Sequence, residues 1–555
     1  METVSFAQGI RALPPGNRAL LAAMILAALI TLAIGIVFGG ITALIRAGFV
    51  EVDPETGYRL MTLHGVTVFF YWLYFAQMAL LLTFAAIHTR QKPRLVLAPV
   101  AWAGFAFMLL GFAANQLGTW WGTPLLYDGS PELAGETPIA AGVFYLGYLS
   151  LGVGLFLLAG SAVATALVGK AEQAPPVWST IGFGTVAWAG LVMVSSVATV
   201  NAFLPAALWA FGWGEVPADH STGWHLLFHN LHYLPLMGTV LVWYALVREM
   251  TGIGSIFGQR FSKIVFTTYL VFVPPTSLYH MFLEPGLAPL VRALGSLLSL
   301  FISVPTIAVF LVIVVSLEAH ARARGARGLF GWAKLLPWGE PAMAAIGMAV
   351  VNLALGGVLA FVLIQEQLAQ LLSDTFFVPG YFHFLTVGTV SLTLLAALGR
   401  MIPVLTGRAL KAAGLLRALP YILTVGLVVF GLAGMTAGLL GMPRRVLDAG
   451  YDGAAPASWI ALSVVMGIGA TVMALALLAY VGVLLAGFVA PQSVAEGGPA
   501  GPAMIAAPGA AAIGQAAWTG PLSVVVLVVA MYAMTALAFA LLRALPVVGL
   551  GGGGH

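Results

Sequence analysis

The chain has 555 residues, of which 61% are hydrophobic and 8% charged, against about 25% charged in an ordinary soluble domain, and this excludes a soluble globular enzyme. The formal net charge of +4 resides in short polar breaks between long apolar runs, so it implies no nucleic-acid partner. No cysteine occurs, which removes disulfides, thiolate catalysis, iron–sulfur clusters and Cys-ligated copper. Any metal must be held by His, Tyr or carboxylate.

In chain order, residues 1–17 carry no signal-peptide pattern and read as a cytoplasmic tail. Thirteen apolar stretches follow, near 18–45, 60–88, 95–116, 138–169, 178–212, 224–247, 263–283, 288–318, 341–366, 376–400, 418–440, 457–489 and 516–545, each long enough to cross about 30 Å of hydrocarbon. The fold class expected is therefore an all-α integral membrane protein, a single polytopic domain over residues 1–555. The 66 Gly and 31 Pro suit it, because both are common in membrane helices. The segment 491–512, rich in Pro, Gly and Ala, reads as a cytoplasmic linker before the last span. No repeat at a fixed period is visible.

Lys and Arg set the expected orientation. With the N-terminus inside, the inner loops carry 17 of the 23 basic residues, and the outer side holds 13 of the 19 acids. By the positive-inside rule the protein lies in the cytoplasmic (inner) membrane with its N-terminus in the cytoplasm and its C-terminus outside.

The few polar groups within the spans are then the informative ones. His64, His229, His280 and His383 lie on four different spans, all in the outer third. An interfacial or satisfied core histidine is the bland reading of each. Four at one depth point to metal or haem ligation, since intramembrane ionisable groups are costly and usually functional. Tyr233, Tyr279 and Tyr381 share that depth. After the eleventh span comes Arg444-Arg445 on the side poor in cations. Salt bridges to Asp448 or Asp452 are one explanation, and binding of carboxylates such as haem propionates is the other.

These residues resemble subunit I of the haem–copper oxidase superfamily, most closely its B-class (ba-type) cytochrome c oxidases. The likeness rests on Thr62-Leu63-His64-Gly65, the region of His229, Glu284-Pro285-Gly286, Val304-Pro305, Ser316-Leu317-Glu318, Arg327 to Trp332, Leu336-Pro337-Trp338, Val378 to His383 and Met442-Pro443-Arg444-Arg445. It implies the arrangement of about thirteen transmembrane helices found in subunit I. It also implies a low-spin haem, b-type by the B-class likeness, held by His64 and His383 with Arg444 and Arg445 near its propionates. A second, high-spin haem and a metal site are implied as well. For the metal, His229 and Tyr233 match a His–Tyr pair at i, i+4, where the Tyr is the catalytic residue. The chain departs from the pattern twice. Tyr279-His280 stands where the family has adjacent histidines, and Tyr381 where it has the high-spin haem ligand.

Three readings follow from the departures. Tyr381 ligates the haem as phenolate while His229, His280 and Tyr279 or His232 hold a metal. Alternatively, the metal is non-haem iron, harder than copper, which leans toward nitric oxide chemistry. In the third reading the binuclear site is degenerate and the protein is a non-catalytic haem-binding membrane paralogue. The leading expectation is a terminal oxidase or nitric oxide reductase, a respiratory oxidoreductase acting on dioxygen or nitric oxide.

By the same resemblance, Tyr244 and Thr306 match a proton path from the inner side, with a further hydroxyl of that path replaced by Val309. The absence of Cys moves electron entry to another chain, a subunit II or a soluble cytochrome or cupredoxin. Beyond these, the expected partner is membrane lipid.

Overall fold

A computed structural model describes residues 5–173, 176–218, 220–255, 257–274, 289–363, 368, 371–447 and 451–489; for residues 221, 222, 225, 226, 228, 229, 289, 291–303, 361–363, 413 and 452 only the backbone is described. Among the described residues all long elements are helices. In chain order they are α1 (Phe6–Arg11), α2 (Pro15–Arg46), α3 (Pro54–His88), α4 (Ala98–Trp121), α5 (Pro138–Ala171), α6 (Thr180–Ala210), α7 (His220–Thr251), α8 (Gly258–Phe272), α9 (Pro289–Ala323), α10 (Pro341–Leu363), α11 (Phe377–Thr406), α12 (Ala413–Leu439) and α13 (Ala457–Val489). Eleven of them are long and apolar enough to cross a membrane. Twelve of the expected spans coincide with α2 to α13. The rest of the span at 263–283, the span at 516–545 and the linker 491–512 lie outside the described residues.

Two boundaries differ from expectation. The predicted tail contains α1, whose Phe6 and Ile10 are buried with Leu13 just beyond it. Phe6 packs on Phe84, ring centroids 5.9 Å apart, and Gly9 lies against Ile87, so an apolar face too short to register as a span still finds a partner in the bundle. The second span begins at Pro54 rather than near 60. Asp53 caps it by accepting the Thr56 N–H at 2.9 Å, Pro54 supplies the preset first φ, and Glu55 faces the positive helix end. This polar first turn is invisible to a hydropathy reading, and it places His64 nearly three turns into the helix rather than just inside its end.

α3 is the axis of the bundle. Every residue from Leu73 to His88 is buried, as expected of a helix apolar all round. Around it, small residues let backbones approach. Gly104, Gly111 and Gly118 recur every seven residues on α4 and meet the α5 backbone at Gly154, Gly147 and Phe144, where an added Cβ would come within 2.9, 2.7 and 2.6 Å. Pro235 inside α7 cannot donate to the carbonyl of Leu231, four residues earlier. The hydroxyl of Tyr74 on α3 donates to that oxygen instead, at 2.8 Å. Two buried indoles tie the same core to α11: Trp72 donates to Ser391 at 3.0 Å and Trp243 to Thr393 at 2.9 Å. The outcome is a rigid α3–α7–α11 centre on which the polar residues are mounted.

Candidate functional site

A cavity of about 360 Å³ opens among α2, α3, α7, α11, α12 and α13, and His64, His383, Tyr233, Tyr381, Arg444 and Arg445 all line it. Six of the expected site residues thus come together from positions almost 400 apart in the chain. His229 falls on α7, one turn before Tyr233, with only its backbone described; Tyr279 and His280 lie outside the described residues.

The two histidines are prepared in the same way. His64 Nδ1 lies 2.8 Å from the carbonyl oxygen of Gly35, and His383 Nδ1 lies 2.7 Å from that of Pro379. A carbonyl only accepts, so Nδ1 carries the proton and the Nε2 lone pair is left to ligate. Gly39 makes room for the His64 ring, since a Cβ there would fall 2.4 Å from its Cε1 and Nδ1. The His383 ring is held edge-on by Phe430, centroids 4.9 Å apart.

Both helices also widen directly after these histidines. A π-helical stretch covers Val66–Trp72 behind His64, and another covers Phe384–Ser391 behind His383. Such insertions are rare and concentrate at functional sites. In the second, Thr389 Oγ1 donates back to Phe384 O, five residues earlier, at 3.0 Å. No sequence signal marked either stretch.

The side chains of Asp448 and Asp452 lie outside the described residues, and the described partners of Arg444 and Arg445 are other acids. Arg444 pairs with Asp374 at 3.0 Å and Arg445 with Asp128 at 3.0 Å, both far away in sequence. Burial works against the Arg445 cation, but Tyr127 and Asp128 beside it outweigh this and raise its pKa. The arginine segment is pinned to the start of α11 by an antiparallel bridge between Thr375 and Pro443, with Phe376 N donating to Met442 O at 2.8 Å and Arg444 N to Asp374 O at 3.0 Å.

Arg46, the last residue of α2, is a third cation at this edge, and no sequence motif singled it out. It donates to Arg444 O at 2.7 Å and lies over the Phe376 ring at 4.8 Å. Tyr58 donates to Arg445 O at 3.1 Å. The chemistry of this edge is clear: guanidiniums held by backbone and acids beside a pair of imidazoles.

Tyr381 is buried two residues before His383. At about 100° per residue the two side chains leave α11 about 200° apart, and both reach the cavity. His232 packs against the aromatic wall, its ring edge-on to Phe382 at 4.4 Å and stacked with Tyr233 at 5.6 Å.

Residues 19–472 match the family model described as "Cytochrome C and Quinol oxidase polypeptide I". The chain belongs to this family. Cytochrome c oxidase subunit 1 of Thermus thermophilus is 28% identical over 451 residues, covering 77% of each chain. The protein of the same name from Alkalihalophilus pseudofirmus is 27% identical over 258 residues, 41% of this chain and 38% of that one. A heme-copper terminal oxidase dimer solved by cryo-EM has the same fold, with a TM-score of 0.80 and 22% identity, covering 93% of this chain and 91% of that one.

The family is one of membrane oxidoreductases that bind haem and copper, and the expected superfamily, fold class and cofactor classes are thereby shown. The observed donors fit a six-coordinate haem. Two Nδ1-anchored imidazoles line one cavity, and arginines that could take carboxylates line it with them.

Proposed function

We propose that the chain is the catalytic subunit of a respiratory terminal oxidase and that it reduces dioxygen at a site built around Tyr381, Tyr233 and His229. Electrons would enter from a separate subunit II, or a soluble cytochrome or cupredoxin, at the outer face, and His64 and His383 would hold a haem. The observation that carries this reading is the pair of backbone-anchored imidazoles lining one cavity with Arg444, Arg445 and Tyr381. A bound haem would supply one-electron chemistry there.

The chain's own residues do the rest. Arg444 and Arg445 neutralise propionates at the outer rim. Tyr381, two residues before His383 on α11, is the proposed protein ligand of a second haem, and His229, His280 and Tyr279 the proposed holders of copper or a non-haem iron. Tyr233, one turn after His229, gives up its hydroxyl proton to the reacting oxygen. Reduction consumes a proton for each electron, and Tyr244 and Thr306 are the proposed carriers from the inner side. In this reading the N-terminus lies in the cytoplasm and the C-terminus outside, across the cell's inner (cytoplasmic) membrane.

A second reading, a haem-binding paralogue without turnover, draws its support from tyrosine at positions 279 and 381, where the family pattern has histidine. Pyridine haemochrome and metal analysis of purified protein separate the two. Two haems and one further metal per chain, with oxygen uptake, are expected; one haem and no further metal defeat the oxidase reading. Consumption of nitric oxide without oxygen uptake would reassign the gas.

A further inference from the structure

The proton route read from sequence has a gap, because Val309, fully buried on α9, occupies a position where the resemblance calls for a hydroxyl. α8 carries a group that fills it. Its buried positions are Ser262, Val265, Phe266 and Tyr269, the i, i+3, i+4, i+7 stripe of one helix face. α8 packs against α6 and α9, and its buried stripe has a hydroxyl at each end, one reached by Tyr244 of α7 and the other by Thr306 of α9.

At the inner end, Tyr244 on α7 donates to Ser262 Oγ at 2.9 Å. At the other end, the Tyr269 hydroxyl and Thr306 Oγ1 on α9 are 3.1 Å apart, and either can donate. Tyr269 and Ser262 are completely buried and Thr306 is 8% exposed. Seven residues of helix separate Ser262 from Tyr269, about 10 Å of rise. A helical tyrosine leans toward the helix N-terminus, here the inner end, so the phenol spans much of that distance. Apolar Val265 and Phe266 wall the interval, leaving hydroxyls as the polar groups of this stripe.

We infer that Tyr269 is a proton relay, passing protons from the Tyr244–Ser262 pair to Thr306 and so replacing the hydroxyl lost at Val309. This rests on the reading that the site at Tyr233 consumes protons. Each hydroxyl accepts one proton on its oxygen and releases its own to the next acceptor, with water bridging Ser262 to Tyr269. No heavy-atom bond changes, and each relay group ends neutral. Tyr269 touches no reacting atom, so it is a positioning and transfer group rather than a catalytic residue.

The test is Tyr269→Phe, which removes one oxygen and keeps the buried ring. Oxygen uptake should fall by about tenfold or more with an increased solvent deuterium isotope effect, while donor reduction of the His64–His383 haem and its absorption bands are unchanged. Thr306→Val should do the same, and on the as-isolated protein it should shift the infrared C–O band of ring-labelled tyrosine that Tyr269→Phe eliminates. Adding Val309→Thr to Tyr269→Phe should restore turnover, which a merely structural loss would not allow. Wild-type turnover and isotope effect in both single variants would overturn the relay and leave the oxidase reading standing. A wild-type protein that takes up neither dioxygen nor nitric oxide would overturn the oxidase reading and the relay with it.

Discussion

Gly39→Ala offers the sharpest test of the imidazole geometry. The added Cβ would sit 2.4 Å from both Cε1 and Nδ1 of His64, whereas ordinary contact begins at 3.4 Å, so ring or helix must move by about 1 Å. α2 is poorly able to retreat. Its far end is packed on α13 as well, where a Cβ at Gly467 would lie 2.6 Å from Ala47 Cβ. The ring therefore yields, and its 2.8 Å bond to Gly35 O lengthens or breaks.

Overpacking costs about 1–3 kcal/mol and the lost hydrogen bond about 0.5–1.5 kcal/mol. Reduced-minus-oxidised spectra, haem content and thermal unfolding in detergent read the outcome. The low-spin bands should weaken or shift and the unfolding temperature should drop. Gly40→Ala is the matched control, because its Cβ meets nothing closer than Ala474 at 3.9 Å. If Gly39→Ala and Gly40→Ala proteins had the same spectrum and stability, the placement of His64 against α2 would be wrong.

Other expectations concern the same centre. Replacing His64 or His383 by Ala should abolish the low-spin haem bands, and persistence of those bands would remove either residue as a ligand. Tyr381→Phe should alter a high-spin signal and spare the low-spin one; an unchanged high-spin spectrum rejects the phenolate. Tyr74→Phe strands the Leu231 carbonyl beneath Pro235, so thermal unfolding should show a loss of about 1–3 kcal/mol, and wild-type stability would mean another donor reaches that oxygen. Arg46→Ala frees the Arg444 carbonyl and should lower haem retention on detergent washing, which equal retention would contradict.

What was legible without coordinates was what depends on local composition. Sparse charge and long apolar runs determined that the chain enters a bilayer and where twelve of its described helices run, because hydropathy sums over neighbours in sequence. His64, His383, Tyr381 and the arginine pair stood out for the same reason, as polar groups at apolar depth or cations on the acid-rich side. The Asp53–Pro54–Glu55 start of α3 was also readable, as a helix cap, but hydropathy alone placed that boundary late.

Tertiary structure decided everything that requires two distant segments to meet. Arg444 pairs with Asp374 and Arg445 with Asp128, both remote in sequence, and for Arg444 the bridge at Thr375 and Pro443 sets which backbones lie side by side. Gly35 and Gly39 matter only because α3 passes over them, and Tyr74 only because Pro235 leaves a carbonyl open on another helix. Tyr269 reads as one more core aromatic until α9 places Thr306 within 3.1 Å of it. A membrane-spanning sequence announces its helices through hydrophobic transfer energy, which is additive along the chain. The hydrogen bonds that make a site depend on helix rotation and register, which arise from packing across the bundle.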